Sequence, residues 1–209
     1  SEESDYLMKK FLSIIVTVAI MMSVLSMAGY ADTSKTFSDI PSDAWYRDSV
    51  YQLVSQGVID GYTDGTFKPE NNLKVSECIK LIVSAMGYKD LSNADTYWAD
   101  NYIAKAKELG IVKDGEYFVN PLLNMYEKPV NRPETAMFLS RALTALKEEP
   151  LSNYADYKNN LTDYSKIPVK YQDDVLRVYS KGIVQGYPDG SFGYDRSLTR
   201  AEISTLIIR

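Results

Sequence analysis

The stretch Gly57-Val58-Ile59-Asp60-Gly61-Tyr62-Thr63-Asp64-Gly65-Thr66-Phe67 returns, with its glycines and aromatics at the same spacing, as Gly182-Ile183-Val184-Gln185-Gly186-Tyr187-Pro188-Asp189-Gly190-Ser191-Phe192. Leu73-Lys74-Val75-Ser76-Glu77 follows the first copy at the distance at which Leu198-Thr199-Arg200-Ala201-Glu202 follows the second. A further copy lies between them, with Gly110-Ile111-Val112 and, after a loop four residues longer, Val130-Asn131-Arg132-Pro133-Glu134. Trp45 and Trp98 each stand twelve residues ahead of their glycine, and Lys170, beside Tyr171, holds that place in the last copy. Self-similarity of this kind marks a unit that cannot bury its apolar face alone and must pack on its neighbours.

Each unit reads as a helix, a glycine-rich loop and a second helix. Val50, Leu53, Val54 and Val58 fall at helical spacing, and Ile103, Ala106 and Ile111, then Val175, Val178, Tyr179 and Ile183, repeat the stripe. Gly57, Gly110 and Gly182 stand where a left-handed residue would end that helix. In the second helix Ile79, Ile82 and Met86, then Leu139 and Leu143, then Ile203 and Ile207 mark the buried side. Thr199 with Glu202, and Asn131 with Glu134, have capping-box spacing, and Glu77 is their counterpart behind Lys74, a poor cap. Pro133 falls in the first turn, where a missing N–H is tolerated. The expected fold is mainly α, three helix-loop-helix repeats packed as a pseudo-three-fold prism.

Composition removes whole classes of chemistry. The 209 residues contain no His and one Cys, so there is no Ser-His-Asp triad, imidazole metal site, zinc ribbon or internal disulfide. No metal and no cofactor is expected. With 23 Lys+Arg against 28 Asp+Glu, the formal charge of −5 argues against nucleic acid as a partner. The 45% apolar content is that of a globular protein, and 17 Tyr are its compositional oddity.

Met8-Lys9-Lys10, the apolar run from Phe11 to Met27 and the small residues through Ala31 read as a secretory signal peptide, cleaved after Ala28 or Ala31. The rival reading is a membrane anchor, because the run approaches the ~18 residues at which a span becomes possible. The resulting organisation is upstream or vector-derived residues at 1–7, a signal peptide at 8–31, repeats at 37–88, 90–147 and 161–209, and a polar connection at 148–160.

The Phe37-Ser38-Asp39-Ile40 opening with Trp45, the Gly-Tyr-Pro-Asp-Gly-Ser-Phe loop at 186–192 and the Leu-Thr-Arg-Ala-Glu helix start at 198–202 resemble the S-layer homology domain. The resemblance covers about residues 37–209. It implies three tandem copies and non-covalent anchoring of an exported protein to the bacterial cell wall or S-layer, usually through a secondary cell-wall polymer bearing pyruvate ketals, or else through a peptidoglycan-associated glycan. It also implies a glycan-contact set of Arg132, Arg200, Lys74, Asp39, Trp45, Trp98, Tyr62, Tyr187 and Gly186, in grooves between neighbouring repeats. Val75 stands where the other copies have arginine, so at most two intact grooves are expected.

The residues themselves support this at one place. Arg132 and Arg200 lie in a helix first turn, where free N–H groups and the macrodipole favour an anion and an arginine fork would hold a carboxylate. Other features have plainer readings beside the sharper ones. Glu77, Glu134 and Glu202 read as caps rather than catalytic carboxylates. Asp64-Gly65 and Asp189-Gly190 read as turns, since EF-hand ligand spacing is absent. Tyr62 and Tyr187 either stack on sugar rings or pack the loop, Trp45 and Trp98 sit at repeat junctions or contact glycan, and Cys78 is a buried thiol. The function expected is a wall anchor and not an enzyme. The alternatives are a lattice-forming scaffold working through protein contacts and the anchor fragment of a larger polysaccharide-acting enzyme.

Overall fold

The computed structural model describes residues 35–209; the signal-peptide reading and its cleavage sites lie outside the described residues. Each repeat contributes two helices, mainly helical as expected. The first helices are α1 (Arg47–Ser55), α3 (Asp100–Glu108) and α5 (Val169–Ser180), and the second helices are α2 (Val75–Ala85), α4 (Arg132–Ala145) and α6 (Arg200–Ile208). Every first helix ends as its sequence dictates, because Gly57, Gly110 and Gly182 all take positive φ, at +67°, +74° and +73°.

The second helices start from a closed ring of backbone hydrogen bonds. Leu73 N–H donates to Leu198 O (2.9 Å), Leu198 N–H to Val130 O (3.2 Å) and Val130 N–H to Leu73 O (2.9 Å), so each repeat donates to one neighbour and accepts from the other. One step further on, the first N–H of each helix is also taken by a neighbouring repeat. Val75 donates to Lys128 O, Arg132 to Arg196 O and Arg200 to Asn71 O, all at 3.0 Å. Groups that a lone helix leaves unsatisfied are thereby satisfied between repeats. The side chains of Leu73, Val130 and Leu198 are fully buried at this ring and continue into one core with Val50, Phe67, Ile79, Phe138, Val175 and Phe192.

The caps are partly as the sequence implies. Thr199 Oγ1 accepts Glu202 N–H (3.2 Å) and Glu202 Oε2 accepts Thr199 N–H (2.9 Å), a complete capping box. At Lys74 only the carboxylate half exists, with Glu77 Oε2 accepting Lys74 N–H at 2.9 Å. In the middle repeat Asn131 Oδ1 accepts Glu134 N–H, but Glu134 does not return the bond, which corrects the expectation that it is a cap. Its Oε1 is claimed by Tyr117 Oη–H and by Lys128 Nζ (2.9 Å), both delivered by the longer loop of that repeat. The extra residues of that loop form a hairpin, β1 (Val119–Asn120) against β2 (Leu123–Asn124), with Asn120 Oδ1 accepting the N–H groups of Leu122 and Leu123.

The glycine-rich loops are held from the opening segment of their own repeats. Asp39 accepts the N–H groups of Phe67 and Lys68 at 2.8 and 2.7 Å, and Asp163 accepts those of Phe192 and Gly193 at 2.6 and 2.9 Å. Asp64 and Asp189 close turns onto Thr66 and Ser191, as expected. A Cβ at Gly186 would lie 2.9 Å from Ser191 O across the same loop. Gly186→Ala is therefore expected to destabilise the fold by about 1–3 kcal/mol through overpacking, measurable as a lowered urea midpoint at unchanged slope. An unaltered midpoint would show that the loop yields freely. Cys78 is buried, and burial pushes its thiol up to about 12, so it is an inert core residue as read from the sequence.

Candidate functional site

Two clefts lined by charged side chains lie at corresponding places between successive repeats. The larger, of about 240 Å³, is bounded by the end of α1 at Gly57–Asp60, by Glu77, Lys80 and Ser84 on α2, by Trp98 and Tyr102 of the second repeat, and by Arg200 of the third. All three repeats contribute to it. The smaller, of about 160 Å³, lies one repeat further on, and Glu134, Arg141 and Lys170 occupy there the positions of Glu77, Ser84 and Trp98.

The arginines singled out in the sequence sit differently from the expectation. Both are buried, Arg132 at 5% exposure and Arg200 at 8%. Arg200 crosses from the third repeat to the first, where Nε donates to Phe67 O (2.9 Å) and Nη2 to Asp60 O (3.2 Å), its guanidinium lying over Tyr62 and Phe67. Arg132 repeats the clamp from the second repeat to the third, donating to Phe192 O (2.9 Å) and Gln185 O (2.7 Å) beneath Tyr187. Burial holds its guanidinium below the usual arginine range. The loop tyrosines Tyr62 and Tyr187 are thus faces against which cations pack, joined by Lys68 at 4.2 Å and Arg196 at 4.1 Å.

One part of the sequence argument is overturned. The first-turn N–H groups of α4 and α6 are not free for an anion: the first donates to a neighbouring repeat, and the third is capped by Asn131 or Thr199. The second is proline in α4 and, in α6, Ala201 N–H donating to Pro69 O. Any anion must therefore be met by side chains.

The two arginines differ in what remains. Arg132 Nη1 lies 3.7 Å from Glu202 Oε1, so its residual charge is opposed within the protein. Arg200 makes no ion pair among the described residues, and the residue lines the larger cleft. Lys80 lines the same cleft with its ammonium 5.7 Å from the Trp98 ring and 5.1 Å from the Tyr102 ring, and it too has no counter-ion among the described residues. The carboxylates there are engaged elsewhere, Asp60 with Lys35 (2.8 Å) and Glu77 with the backbone of Lys74. The larger cleft thus presents three cations without ion pairs among the described residues, Arg200, Lys80 and Lys89, the last donating to Gln56 O at 2.9 Å, against the Glu77 carboxylate and next to a half-buried indole.

The remaining expected contacts are dispersed. Trp98 is in the larger cleft, but Trp45 is 66% exposed and edge-on to Tyr46, not packed at a repeat junction. Lys74 Nζ is bound to Glu127 (2.6 Å), whose Oε1 also takes the Tyr97 hydroxyl; burial opposes the ionised carboxylate, but these partners outweigh it and hold its pKa below the usual range. Asp39 and Gly186 belong to the loop frameworks described above. Lys80 and Lys170 were missed by motif reading because neither position repeats: the counterparts of Lys80 are Met137 and Thr205, and those of Lys170 are tryptophans. Among the described residues no group of Cys, Asp or Glu is placed to hold a metal, and no helix is long and apolar enough to cross a membrane.

The first helices and their glycine loops coincide with a known profile. The S-layer homology domain model matches residues 36–74, 87–116 and 160–203, together more than half of the chain. The chain belongs to the S-layer homology domain family. It is similar to a cell surface protein of Thermoanaerobacter kivui, 29% identical over 172 residues, covering 77% of this chain and 20% of the relative. It is also similar to an endoglucanase of Bacillus sp. (strain KSM-635), 26% identical over 221 residues, covering 95% of this chain and 22% of that enzyme. A surface layer protein of Brevibacillus choshinensis is 26% identical over 152 residues, covering 70% of this chain and 13% of the relative. The chain spans about a fifth or less of the length of these relatives.

Proposed function

We propose that this S-layer homology protein anchors an exported chain non-covalently to the bacterial cell wall by binding an anionic, pyruvate-ketal-bearing secondary polysaccharide in the larger cleft. The observation that carries the reading is the excess of cations without ion pairs, Arg200, Lys80 and Lys89 against the one carboxylate of Glu77, beside Trp98 in a cleft built by all three repeats. A ketal carboxylate entering there gains charge-assisted hydrogen bonds, and its sugar ring finds an aromatic wall. The net negative charge of the chain does not oppose this, because charges further off are screened over about 8 Å at physiological salt. Surface-layer proteins and a polysaccharide-named enzyme among the relatives accord with a module that serves different cargoes, with catalysis assigned to none of its own residues.

The test is co-sedimentation of the purified protein with cell-wall sacculi, before and after removal of the secondary polymer, using wild type and Lys80→Ala. Lys80 is the variant of choice because, beyond its contacts with the Trp98 and Tyr102 rings, its side chain makes no hydrogen bond or ion pair among the described residues. Retention is expected to disappear with the polymer, to weaken about tenfold in Lys80→Ala, the loss of one charge-assisted contact, and to fall as salt rises. Equal retention without the polymer and without Lys80 would refute the reading. A second reading, a scaffold acting through protein contacts, draws on one observation: the hairpin carries Phe118, Val119, Leu122 and Leu123 exposed, Leu122 at 97%. Self-association on sedimentation in the absence of sacculi would favour it.

A further inference from the structure

We propose that Lys74 and Glu127 form a bridge between the first and second repeats that, through Tyr97, holds the Trp98 indole in place as the aromatic wall of the larger cleft. The inference rests on the anchoring reading above and assigns positioning residues to its site. Lys74 is a lysine at a helix cap position where the other copies carry Asn131 and Thr199, and its ammonium cannot accept a helix N–H. It reaches instead across the repeat boundary, where Nζ donates to Glu127 Oε2 at 2.6 Å. The other oxygen of that carboxylate accepts the hydroxyl of Tyr97 and, at 3.5 Å, that of Ser76 in the first turn of α2. The Tyr97 ring then lies against the Trp98 indole, with centroids 5.9 Å apart and planes tilted by 58°.

Trp98 is not carried by a helix. It falls in the irregular stretch between α2 and α3, directly before the Ala99 cap of α3. Comparison of the copies isolates what holds it. An acidic residue stands at the place of Glu127 in every repeat, as Glu70 and Asp195, but the residue corresponding to Tyr97 is Ala44 in the first repeat and Val169 in the third. Trp45, preceded by Ala44, is 66% exposed, whereas Trp98, preceded by Tyr97, is half-buried and lines the cleft. The carboxylate is common to the copies, and the tyrosine and lysine that engage it belong to this boundary. A wall fixed before the ligand arrives spares the cost of ordering it on binding. The ion pair itself is partly exposed, 49% at Lys74 and 34% at Glu127, so it adds little to global stability. Its effect is local, which is what distinguishes positioning from support of the fold.

The experiment uses a Trp45→Phe background, in which Trp98 alone emits, and reads acrylamide quenching of that emission together with retention on sacculi with and without the secondary polymer. Tyr97→Phe, which loses only the hydroxyl, and Lys74→Met are each expected to raise the quenching constant about twofold as the indole is released. Both are expected to weaken retention roughly three- to fivefold, the factor by which the wall's bound position loses population. Their melting temperatures should stay within about 4 °C of the background. Lys74→Arg, whose fork can hold the same carboxylate, is expected to match the background in both readouts. Unchanged quenching in Tyr97→Phe and Lys74→Met refutes the bridge, as does raised quenching with undiminished retention while Lys80→Ala loses retention, and in both cases the anchoring reading stands. Retention that persists without the polymer and in Lys80→Ala overturns the anchoring reading alone, and the quenching then decides whether the bridge holds the indole.

Discussion

Arg132→Ala is expected to lower the melting temperature of the protein by roughly 10 °C. The side chain is buried and both Nε and Nη2 donate to backbone carbonyls of the third repeat, at Phe192 and Gln185. Alanine leaves those two acceptors unsatisfied in the interior and removes the stacking under Tyr187. Hydrogen bonds to a charged group are worth about 1.5–3 kcal/mol each, so a loss of about 3–5 kcal/mol is expected, and a protein of this size moves roughly 2–4 °C per kcal/mol. Arg132→Lys, which cannot span both carbonyls, should fall between wild type and alanine. Differential scanning calorimetry decides it, and a melting point within 2 °C of wild type in Arg132→Ala would mean that the clamp carries no stability. The consequence for function is direct. Loss of wall binding in an arginine variant at this position reports the assembly of the repeats as much as ligand contact, which is why Lys80 is the informative position.

Leu198→Ala is expected to destabilise the protein by about 2–5 kcal/mol and to do so for all three repeats at once. Its side chain is fully buried, and truncation leaves a cavity among Leu73 and Val130. Its backbone is one corner of the hydrogen-bonded ring, in which each repeat's donor is satisfied only by another repeat. Unfolding the third repeat alone would strand a donor at Leu73 and an acceptor at Val130. Equilibrium denaturation followed by far-ultraviolet circular dichroism, which reports all helices, and by tryptophan emission in a Trp45→Phe background, where Trp98 alone reports the second repeat, should therefore give coincident transitions with and without the Leu198 substitution. A Trp98 transition that stayed at the wild-type midpoint while the dichroism moved would show the repeats to be independent.

How far the site could be read in advance follows the same division. Gly57, Gly110 and Gly182 ending the first helices, Thr199 with Glu202 starting α6, and the turns at Asp64 and Asp189 are local chemistry, legible because the bond partners lie within a few residues. Glu134 has the same local spacing as Glu202 and behaves otherwise, because Lys128 and the Tyr117 hydroxyl compete for its carboxylate from a longer loop. Asp163 holds the Phe192 loop from 29 residues away as Asp39 holds the Phe67 loop from 28, and the changed flanks, Leu161-Thr162 against Phe37-Ser38, conceal the correspondence.

The sequence by itself determined the repeat, the helix boundaries and the family, since periodicity, glycine conformation and capping act over distances shorter than one repeat. Which cations are free was decided only by the tertiary structure. Arg132 and Arg200 have the same motif, yet one meets Glu202 across a repeat boundary and the other makes no ion pair among the described residues and lines a cleft, while Lys80 and Lys170, outside the motif, are left without counter-ions there among the described residues. Net charge at a site is a sum over neighbours in space, and in this fold those neighbours come from three repeats, with contacts up to 140 positions apart along the chain.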